Sequence, residues 1–432
     1  MTRTHPQRVA LHNEIHARPP EAMGAPVAIS HVVMLTTAAE RDASRAHLAA
    51  LLREHQLPLP DGDANHLRMD LGAFRVRWEL HTEFVTWTFS RPVDVAALRG
   101  SEPPTGRDPV PRQWLVALPG ECLAAMHLWT LPRDAAPAAP VAQLLREDTL
   151  VGSRVADGQA QVYTDFALHA DGFARTVLLA GGDRSAGDGD MSPRRLGRLV
   201  QRLLEIDTYR MAALLGLPAA RETGATLAAA ARELAALASA IRGAGPEDEP
   251  QLLDRLTKLA GEIESQYAGS HARFSASTAY FELVDRRLAD IREARLPGLQ
   301  TIGEFIERRL SPARATCEWT TRRQDALSQR VSRISSLLRT RVEIEQQQST
   351  QDLLGAMNRR QQLQLRLQAT VEGLSVAAIT YYIVGLVSYL AKGAQAVGWP
   401  FGSESTAAVA IPVVAFAVWW SLRRLHSTVF AA

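Results

Sequence analysis

The chain has 432 residues, of which 46% are hydrophobic and 22% charged. This composition excludes a disordered protein and one that lies wholly within a membrane, and the length suffices for two or three units that each bury a core. The formal net charge is only +2, so no overall field points to nucleic acid. Two distant cysteines, Cys122 and Cys317, exclude a disulfide framework and fit a reducing cytosol.

Residues 1–20 predict an N-terminal tail, because they lack the apolar core of a secretory signal. Inside this tail, His12 and His16 stand four residues apart with Glu14 between them, a combination of metal-ligand types. Zinc proteases of the His-Glu-x-x-His type need glutamate directly after the first histidine, and that position here is Asn13. Two prolines follow and prevent the helix that would support the pair. Docking of the tail on a sheet is therefore favoured over a metal site.

Residues 21–190 predict a cytoplasmic α/β domain with a mixed, partly antiparallel sheet, and the fold class of the whole chain is α+β. An apolar run at 26–35 predicts a strand, and residues 39–55 predict a helix. One further strand is expected at 122–131, and three more are expected between 150 and 180, separated by Asp-Gly turns. Together with a hairpin at 74–89, about seven strands result.

The hairpin is predicted from a change of phase in the alternation of large apolar side chains, which marks a turn near His81. Before the turn the large apolar residues occupy even-numbered positions, and after it they occupy odd-numbered positions. They are Phe74, Val76, Trp78 and Leu80, and then Val85, Trp87 and Phe89. At the tip, Glu79, His81 and Glu83 are metal-ligand types within reach of one another. Polar residues on the solvent face of a strand produce the same pattern, and this interpretation is favoured over a metal site.

Residues 191–370 predict helices nearly throughout. Ser192 is the expected N-cap of the first helix and Pro193 its first residue, with Gly216 at its end. A second helix is expected at about 219–242, and helices resume from 252 until Pro297 breaks the pattern.

A stalk is predicted from Ser311, as an N-cap followed by proline, to the membrane, as one helix of roughly 55 residues. Its heptad pattern is partial: apolar residues alternate by four and three from Leu327 to Leu338, and polar residues then replace them. A tight two-stranded coiled coil over the whole length is therefore not expected.

Residues 371–424 predict a transmembrane hairpin. The uncharged run at 373–391 would span about 28 Å as a helix, close to the thickness of the hydrocarbon core. A second run at 405–422 ends in two tryptophans followed by arginines, as expected at a membrane interface. Arginines flank the outer ends of both spans, so both termini, including a tail at 425–432, are expected on the cytoplasmic side of a bacterial inner membrane.

The first span carries a stripe of small and polar residues, namely Ser375, Ala378, Gly385 and Ser388. Helix packing explains such a stripe. The alternative is the wall of a pore, with neighbouring tyrosine hydroxyls at or near membrane depth. Neither span contains Asp, Glu, Lys, Arg or His, which disfavours a proton relay or a charged transport site.

Five sequence segments resemble a bacterial family of membrane-anchored proteins of unknown function, and the resemblance covers nearly the whole chain. They are LHNEIHARPPEAM, RWELHTEFVTWTF, TDFALHADGFAR, GRLVQRLLEIDTYRMAALLGLP and MNRRQQLQLRLQATVEGLSVAAITYYIVGLVSYLAK. This resemblance implies no activity and no functional residue. The order of regions is also similar to that of CorA-type magnesium channels, which place Gly-Met-Asn after the first span. This chain has AKGAQAVGWPFG there, so the likeness is one of architecture.

The sequence favours a non-enzymatic protein of unknown activity, anchored in the inner membrane, whose cytoplasmic domains sense or scaffold. The sequence contains no Gly-rich phosphate loop, nucleophile elbow or paired CxxC, and no cofactor is expected. The expected partners are the lipid bilayer and further copies of the chain, bound through the stalk and the first span. Nucleic acid is not expected, because the arginine-rich stalk lacks aromatic residues for base stacking. A CorA-like oligomeric ion channel or transporter and a metal-dependent hydrolase stay open as alternatives.

Overall fold

The computed structural model of the protein describes residues 4–8, 11–12, 20–62, 64–100, 102–133, 138–181, 191–395, 398, 400 and 402–429. The chain forms two compact units. The first consists of residues 1–242 and 254–334, and the second of residues 243–253 and 335–432. All strands of the described residues belong to the first unit.

The first unit contains a nine-stranded mixed sheet with the order β2-β3-β4-β1-β5-β8-β7-β6-β9. Its strands are β1 (Val27–Leu35), β2 (His66–Asp70), β3 (Arg75–Leu80), β4 (Phe84–Pro92), β5 (Glu121–Pro132), β6 (Val151–Val155), β7 (Ala160–Thr164), β8 (Ala174–Ala180) and β9 (Ala294–Arg295). Neighbouring strands are antiparallel except β5 and β8, which are parallel. The predicted α+β class with a mixed, partly antiparallel sheet is confirmed.

Eight α-helices accompany the sheet in the described residues. They are α1 (Ala38–Glu54), α2 (Arg112–Val116), α3 (Ala138–Leu144), α4 (Pro193–Leu214), α5 (Gly216–Gly243), α6 (Glu249–Asp290), α7 (Ile302–Gln395) and α8 (Ser403–Val429). Helix α4 begins as predicted, because the Ser192 side chain accepts a hydrogen bond from the Arg195 amide and Pro193 follows it.

Strand β1 shows how the sheet is covered on both faces. It pairs with β4 on one side and with β5 on the other. Successive side chains of a strand point to opposite faces, so Ile29 packs in one cluster with Leu199 of α4. Val32 packs in another cluster with Leu48 of α1. Helix α4 therefore covers one face of the sheet and α1 covers the other.

The hairpin at 74–89 is confirmed. Strands β3 and β4 are antiparallel, and Leu80 lies opposite Val85 across the turn. The change of phase places Trp78 and Trp87 opposite each other on the face toward α1, where both are fully buried. Strands β2 and β9 were not predicted: β2 is short and has only two apolar residues, Leu67 and Met69, and β9 has only two residues in all.

The predicted start of the stalk at Ser311 is wrong. Helix α7 begins at Ile302, and Pro312 lies inside it. Thr301 and Glu304 form a reciprocal cap: the Glu304 amide donates to Thr301 Oγ1 and the Thr301 amide donates to Glu304 Oε2, each at 3.2 Å. This capping box lies upstream of the Ser-Pro pair and decides where the helix begins.

The second unit contains the C-terminal part of α7 and all of α8, the two helices in which membrane spans were predicted. Both are long and apolar enough to cross a membrane. A third stretch, residues 193–243, also meets this criterion of length and composition. It was not predicted as a span, and its first part is α4, whose leucines pack on the sheet.

Candidate functional site

A cavity of about 880 Å³ lies on the face of the sheet toward α1 and α2. This space, the Phe173 cavity, is bounded by β1, β5, the segment 107–120 and the turn 171–173. Its apolar lining includes Val32, Met34, Val110, Leu115, Leu118 and Ala125. A concave, mostly apolar site of this size with a few polar groups is typical of small-molecule binding.

The segment that forms one wall of the cavity approaches the sheet so closely that it needs a glycine. A Cβ atom on Gly106 would lie 2.3 Å from the Phe89 carbonyl oxygen and 2.6 Å from the Ser30 nitrogen. The next residue is fixed as well, since the Arg107 amide donates to Ser30 Oγ at 2.9 Å. The Trp129 indole donates to the Pro104 carbonyl at 2.8 Å and holds the start of the segment. The side chain of Arg107 therefore extends from a well-anchored backbone.

The charged residues at the cavity are unequally compensated. Asp108 Oδ2 lies 2.7 Å from an Arg91 guanidinium nitrogen and accepts from the Thr105 amide at 2.8 Å. Asp171 Oδ2 lies 3.6 Å from a guanidinium nitrogen of Arg175. In contrast, Arg107 and Arg112 have no carboxylate at ion-pair distance among the described residues. The uncompensated charge of the lining is therefore positive.

Phe173 connects the cavity to a buried histidine. Its ring stacks on the His127 imidazole with a centroid distance of 4.0 Å and an interplanar angle of 4°. The guanidinium carbon of Arg107 lies 4.2 Å from the centre of the same phenyl ring, within the range of a cation–π contact. His127 itself is fully buried. The three side chains form a rigid corner of the cavity.

Ser30, His127 and Asp171 form a polar chain behind this corner. Ser30 Oγ and His127 Nδ1 are 2.9 Å apart, and His127 Nε2 lies 3.5 Å from Asp171 Oδ2. Burial lowers the pKa of His127, so its ring is neutral at pH 7. The contact with His127, together with a hydrogen bond from the Phe173 amide, holds the pKa of Asp171 well below its usual range. The chain thus places a carboxylate at the cavity edge.

Ser30, His127 and Asp171 are the residue types of a catalytic triad, but they do not have its geometry. Ser30 and His127 are both fully buried. The Ser30 hydroxyl oxygen also accepts the Arg107 amide. A nucleophile must reach its substrate, and a base must be able to take the proton of the attacking oxygen. The arrangement instead links Arg107, the sheet and the turn that carries Phe173.

The loop between β7 and β8 presents Asp171 and Phe173 to the cavity. Asp165 Oδ2 accepts from the Arg146 amide at 3.0 Å and lies 2.8 Å from His169 Nε2. The His169 amide donates to the Phe173 carbonyl at 3.1 Å. The sequence predicted only a turn here. One feature of the sequence could have indicated a functional loop. Two aspartates and a histidine lie close together, and an ordinary turn does not require them: Asp165, His169 and Asp171.

The three candidate ligands at the hairpin tip have other partners. Glu79 pairs with Arg77 at 2.7 Å. Glu83 pairs with Arg273 of α6 at 2.5 Å. The His81 ring stacks on Phe84 and lines a second, more polar cavity of about 640 Å³. Both carboxylates are therefore held by arginines.

The remaining metal candidates lie in the tail. His12 is among the described residues, whereas Glu14 and His16 lie outside them. Among the described residues, no group of three or more His, Cys, Asp or Glu side chains is placed to hold a metal ion. A metal-dependent hydrolase stays a prediction.

The small and polar stripe of the first predicted span is partly shielded within one chain. Ser375, Gly385 and Ser388 are half-buried, whereas Ala378 is exposed. Tyr381 and its neighbours Tyr382 and Tyr389 are 71–78% exposed. Shielding of the stripe is what helix packing within a chain produces. A pore along this stripe stays a prediction.

The fold and this site define an α+β protein with an apolar cavity of ligand size and two long apolar helices. A sequence model of the family described as "Protein of unknown function (DUF3422)" matches residues 3–429, and the chain belongs to this family. No curated protein and no solved structure matches the chain. The predicted membership in a family of unknown function is confirmed over nearly the whole chain. The likeness to CorA-type channels stays a prediction.

Proposed function

We propose that the protein is anchored in the bacterial inner membrane by a hairpin of α7 and α8, and that its sheet-containing unit faces the cytoplasm and senses or scaffolds there. One observation carries this proposal. In the stretch 403–421 Val418 is the one buried residue, and in the most apolar 18 residues of α7 only 11% are buried. Helices this apolar and this exposed require an apolar environment around them.

The exposed residues are large and cover both helices. Leu386 and Leu390 of α7 are 63% and 71% exposed, and Val413 and Phe416 of α8 are each 63% exposed. Water around such side chains costs roughly 1.5–3 kcal/mol for each one relative to full burial. Lipid removes this cost for every exposed position at once. A soluble partner would have to enclose two helices on all sides.

The end of α8 supports an interface near residues 419–424. Trp419 and Trp420 are 45% and 57% exposed. The Arg424 guanidinium lies 5.8 Å from the centre of the Trp420 ring. Tryptophan and arginine concentrate at membrane interfaces, and arginine concentrates on the cytoplasmic side. This supports a cytoplasmic C-terminus.

Membrane extraction and cysteine labelling test the proposal on the full chain. Without detergent, the protein should stay in the membrane pellet at alkaline pH. A membrane-impermeant maleimide should label Gly402→Cys, in the loop between the spans, in intact spheroplasts. With the exposed native Cys122 replaced by serine, Arg198→Cys, an exposed position of α4, should react only after lysis. Extraction without detergent, or labelling of Arg198→Cys from outside, would overturn the proposal.

We further propose that copies of the chain associate through the end of the stalk and the start of the first span, as the pattern on α7 supports. Leu363, Leu367, Val371 and Leu374 are 61–75% exposed and follow one another at spacings of three and four. Apolar residues at these spacings form one stripe along a helix, and a second copy would supply a matching face. Light scattering of the detergent-solubilised protein should give a mass above that of one chain. A monomer would refute the association. A closed ring that passes cations in liposomes would favour the channel alternative.

A further inference from the structure

We propose that the Phe173 cavity is a binding site for a small organic anion with an apolar body, such as an aliphatic or aromatic carboxylate. The cavity volume of about 880 Å³ lies within the range of about 300–1,000 Å³ that small-molecule sites occupy. The inference deepens the sensing role proposed above, because it gives that role a ligand class. It is independent of membrane anchoring.

The lining supports an apolar ligand body. Val32, Met34 and Ala125 form part of the sheet floor, and Leu115 and Leu118 line the cavity from the segment that carries α2. Val32 and Met34 are buried at this floor and Leu115 and Leu118 are half-buried, so an apolar ligand body would meet apolar side chains on two sides. The opposite face of the same sheet is closed by α4. The cavity is therefore an open depression on the face of the sheet that α4 does not cover.

The charges support an anionic head group. The carboxylate of Asp108 is neutralised by Arg91, and that of Asp171 lies between His127 and Arg175. Arg107 and Arg112 keep their positive charges uncompensated among the described residues. A guanidinium group binds carboxylate or phosphate through two parallel hydrogen bonds, and does so more strongly where water is scarce. An anion at this edge would complete the charge balance.

The corner around Phe173 supports Arg107 as the anchor of that anion. Its backbone amide is bound to Ser30, and its guanidinium lies over the Phe173 ring, which itself stacks on His127. A side chain held on both ends loses less conformational entropy when it binds a ligand. Arg112 is exposed and would add charge with less geometric control. We therefore expect Arg107 to be the larger determinant.

The purified full-length protein, in whichever buffer or amphiphile extracts it, allows a direct test by isothermal titration calorimetry, with that solution alone as the blank. The ligands are octanoate, 4-phenylbutyrate and indole-3-acetate, each paired with its neutral amide. At least one acid should bind saturably, and its amide should bind at least about tenfold more weakly. Inorganic phosphate should not compete at equal concentration, because it lacks an apolar body. Absence of saturable binding by all three acids at millimolar concentration would overturn the proposal.

Three variants localise the binding. Arg107→Met should weaken binding of the acid by about tenfold and leave the amide unchanged. Ala125→Phe should fill the cavity and weaken acid and amide alike, and it adds an apolar group rather than removing one. Arg198→Met, on the other side of the sheet, is the matched control and should bind as the unchanged chain does. Binding unaffected by both Arg107→Met and Ala125→Phe would place the ligand elsewhere and refute the site. The maleimide labelling pattern is unaffected by any of these results, so failure of this inference and failure of membrane anchoring are distinguishable.

Discussion

The sheet of the first unit and the apolar helices of the second use similar residues in opposite ways. In the sheet, Trp78, Trp87 and Trp129 are fully buried and packed by protein. In α8, Trp419 and Trp420 are 45% and 57% exposed. The presence of tryptophan alone does not separate the two regions. The difference teaches that the surroundings of a region, protein core or lipid, determine how an apolar side chain is stabilised there.

The largest expected effect comes from removing a buried tryptophan. Trp87 packs against Trp114 at a centroid distance of 5.2 Å and against Trp78 at 6.3 Å. Trp87→Ala leaves a cavity in this cluster and should lower the free energy of unfolding by about 3–5 kcal/mol. Trp420→Ala is the matched control and should change it by less than about 1 kcal/mol. Denaturant titration in detergent, followed by near-UV circular dichroism, measures both. Equal effects would erase the contrast between the regions.

The next effect concerns insertion rather than packing. An arginine at the centre of a transmembrane helix costs about 2.5–3.5 kcal/mol. Val413→Arg, near the middle of the stretch 403–421, should therefore release a large share of the protein from the membrane pellet at alkaline pH. Leu59→Arg, at a position of the first unit that is 50% exposed, should have no such effect. If both variants stay in the pellet equally, the exposed face of α8 is not in contact with lipid.

Acid should act on the sheet rather than on the apolar helices. His31 is buried between β1 and α4, where its ring contacts Thr88 Oγ1 at 2.8 Å and Thr208 Oγ1 at 3.1 Å. Burial lowers the pKa of His31 from 6.5 to about 4, while Asp207 opposes this shift and Arg77 adds to it. Between these two pH values the unfolded chain binds a proton that the folded chain excludes, so stability falls as the pH falls.

The size and control of this acid effect follow from the shift. Lowering the pKa of His31 from 6.5 to about 4 corresponds to a loss of up to about 3 kcal/mol in the free energy of unfolding. This loss is complete near pH 4. His31→Asn keeps a side chain that can bond to both hydroxyls and removes the titration. The unchanged chain should lose stability between pH 6.5 and pH 4 more steeply than the variant does, as measured by denaturant titration. Parallel pH profiles would show that His31 does not cause the loss.

The extent of sequence prediction differs between the fold and the site. Strand β1 follows from its continuous apolar run, since both of its faces are buried, and the hairpin of β3 and β4 follows from the local alternation of large apolar side chains. The Phe173 cavity was not predicted. The hydrogen bond behind the cavity joins Ser30 to His127, which are 97 residues apart. The pairing register of β1 and β5 brings these two residues together. Register between distant strands depends on the whole sheet and leaves no local pattern.

The hairpin tip shows what local spacing leaves open. Glu79 and Glu83 are close in sequence and are metal-ligand types, so a metal site stood as the alternative to the favoured solvent-exposed face. In the folded chain each carboxylate meets an arginine, Arg77 and Arg273 respectively, and the second comes from a helix far along the chain. Spacing identifies residues that can meet, but the nearest opposite charge decides what they do.

The smallest expected effect tests where the helix that continues into the second unit begins. Thr301 caps α7 through the Glu304 amide, whereas the sequence pattern favoured Ser311 as the cap. Thr301→Ala should lower the free energy of unfolding by about 1 kcal/mol, because an orphan amide at the helix start loses its acceptor. Ser311→Ala lies inside the helix and should change it by no more than a few tenths of a kcal/mol, since alanine has the higher helix propensity. A larger loss for Ser311→Ala than for Thr301→Ala would restore the start at Ser311. It would also place residues 302–310 outside α7, so that the contacts of Ile302 and Ile306 with the sheet core would have to be formed by a loop.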